Sequence, residues 1–189
     1  ISFETGKRIV EMVFKDLTPS KIMTKKAFEN AIVVASAIGG SSNCPPHLSA
    51  IAKHVGVKLN LNDWQRLGSS IPLLVNCKPA GEFLMEKFYR SGGVPAVMQE
   101  LIRHKKIHTA VMTVTGKTLG ENLKVKIKTD TKVIKSFDDP IVENAGFIVM
   151  RSNFFNSAVM KTSVISEEFR ERYLSNPEKP NAFMTKAVV

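Results

Sequence analysis

The sequence predicts a mixed α/β chain in which a helix-rich first part gives way to a strand-rich second part. Three observations carry this. Apolar residues recur at helical spacing as far as His104, β-branched residues cluster after residue 107, and glycine, proline and asparagine punctuate the segments between. At 189 residues, with 43% hydrophobic and 23% charged side chains, the chain is long enough to bury a core and too apolar for wholesale disorder.

The first helix is read over residues 3–15, with Ile9, Met12 and Val13 on one face, and Thr18-Pro19-Ser20 breaks it. Thr24 caps a second helix over 25–38. Its end, AIVVASAIG, has so few polar residues that it must be buried on most sides, and Gly39-Gly40 stops it. Ser41, Ser42 and Asn43 are good N-cap types, Pro45-Pro46 follow, and His47 to Val55 reads as the next helix, ended by Gly56. Asn62-Asp63 cap a short helix through Leu67 with Trp64 on its inner side. Residues 80–90 and 95–104 form two amphipathic helices separated by Ser91-Gly92-Gly93, with Pro95 at a first helical position.

Thr109 to Thr115 reads as a strand, and Gly116-Lys117-Thr118 opens a short helix through Asn122. Further strands are expected at Lys124–Lys128, Lys132–Ile134, Gly146–Met150 and Ala158–Ile165. A helix is expected at Glu167–Leu174, a turn-rich loop at 176–180 and an opening strand at 187–189. The change of texture places a domain boundary near 136–145, around Phe137-Asp138-Asp139-Pro140.

Composition excludes several classes of function. Two cysteines rule out a disulfide scaffold, point to a reducing compartment, and are too few for a four-cysteine zinc site in one chain. No run of 18 apolar residues is long enough to span a bilayer. The first residue is Ile1 and no signal-peptide pattern follows, so a fragment is expected.

The net charge is +10, from 27 lysines and arginines against 17 acids, and permits an anionic partner. The excess concentrates between Arg103 and Lys135, where nine basic residues face two acids. Within that window Lys124, Lys126 and Lys128 alternate with Val125 and Ile127, a pattern that reads as a solvated strand face. A nucleic-acid surface is disfavoured there, because no aromatic side chain is interleaved to stack on bases.

Four constellations invite chemistry. The stretch Gly39–Pro46 (GGSSNCPP) joins two apolar helices; its glycines allow close approach, and free N–H groups at the following helix start would favour an anion. Its competing reading is a capping turn. Cys44 and His47 supply two ligands where zinc wants at least three, and Cys77 has no partner in sequence. Val114-Thr115-Gly116-Lys117-Thr118 resembles the end of a phosphate loop, but the first glycine of that motif would fall on Val111, so the motif fails. Asp138-Asp139 is too small an oxygen set for a hard cation. Spacing alone yields no catalytic set.

The ordered series of segments resembles the dihydroxy-acid and phosphogluconate dehydratase family. It comprises Gly39-Gly40-Ser41-Ser42-Asn43 with His47-Leu48 and Ala50-Ile51-Ala52, Lys78-Pro79-Ala80-Gly81, and Gly92-Gly93-Val94-Pro95-Ala96-Val97-Met98. Val114–Thr118, Gly146-Phe147-Ile148-Val149 and Ala158-Val159-Met160-Lys161 complete it. Cys44-Pro45-Pro46-His47, Asp63-Trp64-Gln65 and Pro72-Leu73-Leu74-Val75-Asn76 look closer to the sugar-acid branch, which dehydrates pentonates such as arabinonate or xylonate.

The resemblance implies a hydro-lyase that removes water from a 2,3-dihydroxy acid to give a 2-keto acid through an enol. The substrate would be such a sugar acid or a dihydroxy acid of branched-chain amino-acid synthesis. It implies an iron–sulfur cluster as Lewis acid for the leaving 3-hydroxyl, a magnesium ion on the carboxylate and 2-hydroxyl, and a serine base. In the family the cluster cysteines and the acids and lysine for magnesium lie mostly upstream of this region, and the serine lies downstream. Cys44 and Cys77 do not match the cluster motifs, so neither metal is expected to bind this fragment, and catalytic residues are expected outside it.

The fold implied is the helix-rich end of an α/β/α domain (1–137) followed by the start of a β-barrel-like second domain (138–189). Gly39, Gly40, Ser41, Ser42 and Asn43 are the expected substrate-binding residues. The family further implies a homo-oligomer, dimer or tetramer, in the cytoplasm or, in a eukaryote, the mitochondrion, with no membrane contact. Two other readings compete: a non-catalytic basic module contacting nucleic acid through 103–135, and an inactive truncated remnant.

Overall fold

The computed structural model describes residues 1–166 except Ser152 and Phe155, together with Glu168. The elements expected at 176–180 and 187–189, and the helix expected over 167–174 apart from Glu168, lie outside the described residues. The remainder is a mixed α/β structure. Eight helices are described: α1 (Ser2–Phe14), α2 (Pro19–Ile22), α3 (Lys25–Ala37), α4 (Cys44–His54), α5 (Leu61–Gly68), α6 (Met85–Arg90), α7 (Gly93–Arg103) and α8 (Leu119–Asn122). They precede one described hairpin, β1 (Phe147–Met150) and β2 (Ala158–Lys161).

Helix α3 organises the core because its second half, Ile32 to Ala37, is buried throughout and apolar apart from Ser36. Val33, Val34 and Ala37 enter a larger cluster with Leu74, Val75, Phe88, Val97, Leu101 and Val133. Ile32 and Ala35 face a smaller one with Trp64 and Phe147. Thr24 caps the helix as expected, its hydroxyl accepting from the Ala27 amide at 3.4 Å. On α1 the structure corrects the expected buried face: Met12 is buried, whereas Ile9 and Val13 are exposed. That helix is also tied through Arg8, whose Nε donates to the Val114 carbonyl at 2.6 Å.

Several boundaries differ from expectation for identifiable reasons. The break at Thr18-Pro19 also starts the one-turn helix α2, since proline suits a first helical position. Helix α4 begins at Cys44, three residues early, because Pro45 and Pro46 fit within a first turn whose amides need no intrahelical partner. Helix α5 is capped by Asn60, and Asp63 completes a capping box by accepting from the Asn60 amide at 3.1 Å. The helix expected over 80–90 starts only at Met85. Ahead of it Asn76 closes a loop: its carbonyl accepts from the Phe83 amide at 3.0 Å and its Oδ1 from the Glu82 amide at 2.9 Å. The Lys78–Pro79 peptide in that loop is cis. Pro95 stands third in α7, after Gly93 and Val94.

Three expected strands are not strands. Residues 109–115 fold back on 117–120, with the Leu119 amide on the Val111 carbonyl and the Thr113 amide on the Lys117 carbonyl, so the turn closes on itself. Residues 124–128 run without a ladder because the Gln99 side chain substitutes for one. Its Nε2 donates to the Leu123 and Val125 carbonyls at 2.8 and 2.6 Å. Its Oε1 accepts from the Ile127 amide at 3.4 Å. Ile127 packs inward while Val125 is exposed, so the alternation holds only in part. At 132–134 only an isolated bridge forms, between Ile134 and Val75.

That bridge belongs to an extended stretch the sequence did not single out as structure. Residues 71–77 run through the larger core with Ile71, Leu73, Leu74, Val75 and Cys77 buried. One side bonds to 141–145, through the Leu73 amide on the Val142 carbonyl (2.8 Å) and the Ala145 amide on the Ile71 carbonyl (2.9 Å). The other bonds to 133–135, through the Asn76 amide on the Val133 carbonyl (2.9 Å) and the Lys135 amide on the Leu74 carbonyl (2.8 Å).

The hairpin docks on α5. Its strands pair antiparallel in the register Phe147↔Lys161 and Val149↔Val159, and β2 ends at Lys161, short of the expected Ile165. Phe147 meets Trp64 edge-on, ring centroids 4.9 Å apart, and the Val149 amide donates to Gln65 Oε1 at 2.6 Å. Just before β1, Gly146 lies so close to Gly68 that a methyl group there would overlap the Gly68 carbonyl. Substituting Gly146→Ala should therefore destabilise the fold by about 2–3 kcal/mol, with tryptophan fluorescence reporting a lower denaturation midpoint.

Asp63 is 8% exposed and receives Lys25 Nζ at 2.7 Å and Arg66 Nη2 at 3.2 Å. Burial works to raise its carboxyl pKa, but the Lys25 bond, the Asn60 amide and Arg66 outweigh it and hold it below the usual aspartate range. A depressed folded-state pKa gives stability that is present above the unfolded value of about 3.9 and is lost as pH falls through the folded value. Asp63→Asn should cost on the order of 1–2 kcal/mol at neutral pH, and the difference from wild type should shrink below pH ~4 in acid-titrated urea melts.

Candidate functional site

The five residues expected to face a substrate form the turn between α3 and α4. Gly39 is left-handed (φ +65°), its amide donates to the Ser36 carbonyl at 3.1 Å, and the Gly40 amide returns to the Ala35 carbonyl at 2.7 Å. This pair of bonds is a Schellman closure of α3, and it requires a residue without a Cβ penalty at position 39. Ser41 then closes the entry to α4. Its Oγ accepts from the Asn43 amide at 3.2 Å and its carbonyl from the Cys44 amide at 2.9 Å.

The expectation of free amides at the start of α4 is corrected here. Cys44 uses its N–H on Ser41, Pro45 and Pro46 have none, and the His47 amide bonds the Asn43 carbonyl at 3.3 Å. The donors that remain are on the turn itself. The Ser41 and Ser42 amides, the Ser42 hydroxyl and the Asn43 carboxamide have no partner among the described residues. Ser41, Ser42 and Asn43 are all exposed.

The hairpin adds two residues that sequence reading did not select. Ser163, 5% exposed, lies against Gly39, with its Oγ 3.4 Å from where a Cβ on that glycine would be. That hydroxyl has no hydrogen-bond partner among the described residues. Lys161 stands opposite Phe147, which is 1% exposed, and directly paired residues share a sheet face, so Lys161 is on the core-facing side. Burial draws its ammonium pKa below the usual lysine range, and the nearby Cys44 sulfur works in the other direction. The signal was present as Val159 and Lys161 two apart, but only the register with Phe147 shows which face is inward.

The remaining constellations are consumed structurally. In Thr113–Thr118 the Thr115 and Lys117 amides go to neighbouring threonine hydroxyls, the Gly116 amide to the Thr113 carbonyl and the Thr118 amide to Glu121 Oε2. With every amide from 115 to 118 in use, the turn is no phosphate cradle. Asp138 and Asp139 are exposed, within 3.8 Å of His104 and 3.7 Å of Lys135. In the basic window Arg103 pairs with Glu100, whose Oε1 also accepts the Phe137 amide at 2.9 Å.

The described residues do not fit either implied metal. Cys77 is buried, its thiol directed to the Leu84 carbonyl at 3.7 Å and its pKa raised by burial, whereas Cys44 stands at the start of α4. No three histidine, cysteine, aspartate or glutamate side chains converge among them.

Residues 1–122 match the family described as dihydroxy-acid/6-phosphogluconate dehydratase N-terminal. The whole chain is 48% identical to D-xylonate dehydratase of Caulobacter vibrioides, covering 32% of that protein. It is 44% identical over 86% of its length to L-arabinonate dehydratase of Rhizobium leguminosarum, covering 28% of it. It is 45% identical over 85% of its length to dihydroxy-acid dehydratase of Caldicellulosiruptor bescii, covering 29% of it. The chain belongs to the dihydroxy-acid/6-phosphogluconate dehydratase family, and it spans about a third of the length of these relatives.

A methyl at Gly39 would need the left-handed region and would approach Leu73 Cδ1 to 2.9 Å. Gly39→Ala is expected to lose about 1–2 kcal/mol of stability, seen as a lower thermal midpoint by circular dichroism.

Proposed function

We propose that this chain is a segment of a hydro-lyase that dehydrates a 2,3-dihydroxy acid, with a pentonate sugar acid as substrate, to a 2-keto acid. The observation that carries the reading is 48% identity along the entire chain to a D-xylonate dehydratase. The structure supplies a physical counterpart in the turn Gly39–Asn43, whose unpartnered amides and hydroxyl suit the oxygen-rich face of such an acid.

In this reading the chain's own residues bind and orient. Gly39 and Gly40 let the turn close tightly against Leu73, Ala35 and Cys44, while Ser41, Ser42 and Asn43 donate to the acid's hydroxyl or carboxylate oxygens. The groups that take the C2 proton and assist departure of the C3 hydroxyl, together with the iron–sulfur and magnesium ligands, belong to parts of the relatives' length that this chain does not span. Residues 1–137 end the first domain and 138–189 begin the second, so the turn lies beside the junction. The working protein is a homo-oligomer.

The test uses the complete protein carrying this chain. It should convert D-xylonate or L-arabinonate to a 2-keto acid, measured as the semicarbazone, faster than it converts 2,3-dihydroxyisovalerate. Ser42→Ala should raise KM about threefold to tenfold, the worth of a hydrogen bond to a charged group. Unchanged kinetics in that variant would remove the turn from the substrate site, and absence of turnover on all three acids would remove the dehydratase reading.

A further inference from the structure

An inward lysine calls for an anion. Lys161 lies on the core-facing side of β2 beside Val159, and the neighbouring cluster is apolar: Trp64, Phe147, Leu48, Leu59, Leu61 and Val149. No acid pairs with Lys161 among the described residues, where nine of the twelve ion pairs join a lysine or arginine to a carboxylate, eight of them within 3.5 Å. Holding an ammonium half-buried without a counter-charge is costly, and the cost is relieved when an anion arrives.

A second, independent observation points to the same place. The Ser163 hydroxyl is buried, without a hydrogen-bond partner among the described residues and set against Gly39, at the other side of the turn from Cys44, which Lys161 approaches. The turn between them presents the unused Ser41 and Ser42 amides. The prolines at 45 and 46 leave the α4 terminus with almost no free N–H, so a charge placed there must be met by side chains brought from elsewhere. Lys161 and Ser163 are such side chains, and every group in the set donates.

We infer that Lys161 and Ser163 are substrate-holding residues that, with the Ser41 and Ser42 amides, form a donor-rich subsite for the carboxylate of an acidic substrate. This rests on the dehydratase reading and deepens it. The subsite straddles the hairpin and the α3–α4 turn, so it exists only when the hairpin is docked. A neutral sugar would leave the ammonium uncompensated, and the subsite therefore selects aldonic acids over the corresponding aldoses. A carboxylate has two oxygens and about four acceptor directions, enough to meet both an ammonium and a hydroxyl while leaving others open.

The experiment combines kinetics with a readout that does not need turnover. In the complete protein, Lys161→Met should raise KM for D-xylonate about tenfold to a hundredfold with kcat changed much less, Lys161→Arg should recover part of the loss, and Ser163→Ala should raise KM about threefold to tenfold. Thermal melts of each variant establish that it is folded; if Lys161→Met does not fold, Lys161→Arg and Ser163→Ala carry the kinetic test. In parallel, lysines carrying 13C-methyl labels are followed by NMR, with the Lys161 signal assigned by its absence in Lys161→Arg. Sodium D-xylonate should shift that signal saturably and raise its titration midpoint, and matched sodium chloride or D-xylose should not. A KM unaltered in all the folded variants, or a Lys161 signal indifferent to xylonate in an enzyme that turns it over, overturns the inference. So does a Lys161 midpoint already held high by an acid elsewhere in the protein. If no sugar acid is turned over but the signal still responds to the carboxylate, the dehydratase reading fails and the anion subsite stands.

Discussion

The contact between the hairpin and helix α5 governs the rest of the arrangement. Gly146 and Gly68 approach so closely that neither tolerates a side chain in place: a methyl on Gly146 meets the Gly68 backbone, and one on Gly68 meets Ser36 Oγ at 2.7 Å. Phe147 then fills the space against Trp64, and Gln65 takes the first free amide of the strand on that side. A steric constraint thus sets the depth of docking, an aromatic contact supplies the buried area, and one hydrogen bond sets the register of β1 on the helix. Lys161 and Ser163 reach the α3–α4 turn because of this.

Elsewhere, single polar side chains do the work that ladders do in regular sheets. Gln99 pins 123–127, Asn30 exchanges two bonds with His108 (2.8 and 2.7 Å), Asn76 closes the loop before α6, and Glu100 receives the Phe137 amide. Each satisfies backbone groups of a segment that would otherwise be left with unpaired amides beside the core. The extended residues 71–77 are likewise bonded on both sides, yet the flanking segments bend away after one bridge each, so almost no formal strand results. This explains how a chain with strand-like composition after residue 107 carries so little regular sheet among its described residues.

Function follows the same division between turn and hairpin. The turn is shaped by helix capping, with glycines closing α3 and prolines opening α4, and capping alone would leave an ordinary connection. The hairpin makes it chemically asymmetric by bringing a lysine without an ion pair and a serine hydroxyl without a hydrogen bond among the described residues. Family membership rests on the sequence as a whole, while the donor-rich character of the cluster is local to the turn and the hairpin.

Local sequence determined the helices, because apolar spacing, the Thr24 cap and the Gly39-Gly40 stop are short-range properties. It also determined the family, since six segments in order at natural spacing carry more information than any one. The turn Gly39–Asn43 was legible for the same reason: its glycines and small polar residues have few uses. Tertiary structure alone decided which face of β2 points inward, and hence that Lys161 stands on it, because a side chain's direction depends on register with a strand fourteen residues away. It also decided that 71–77 becomes the buried extended stretch. Those outcomes rest on which distant backbone groups are available to pair, a quantity that propensity and alternation within one segment do not contain.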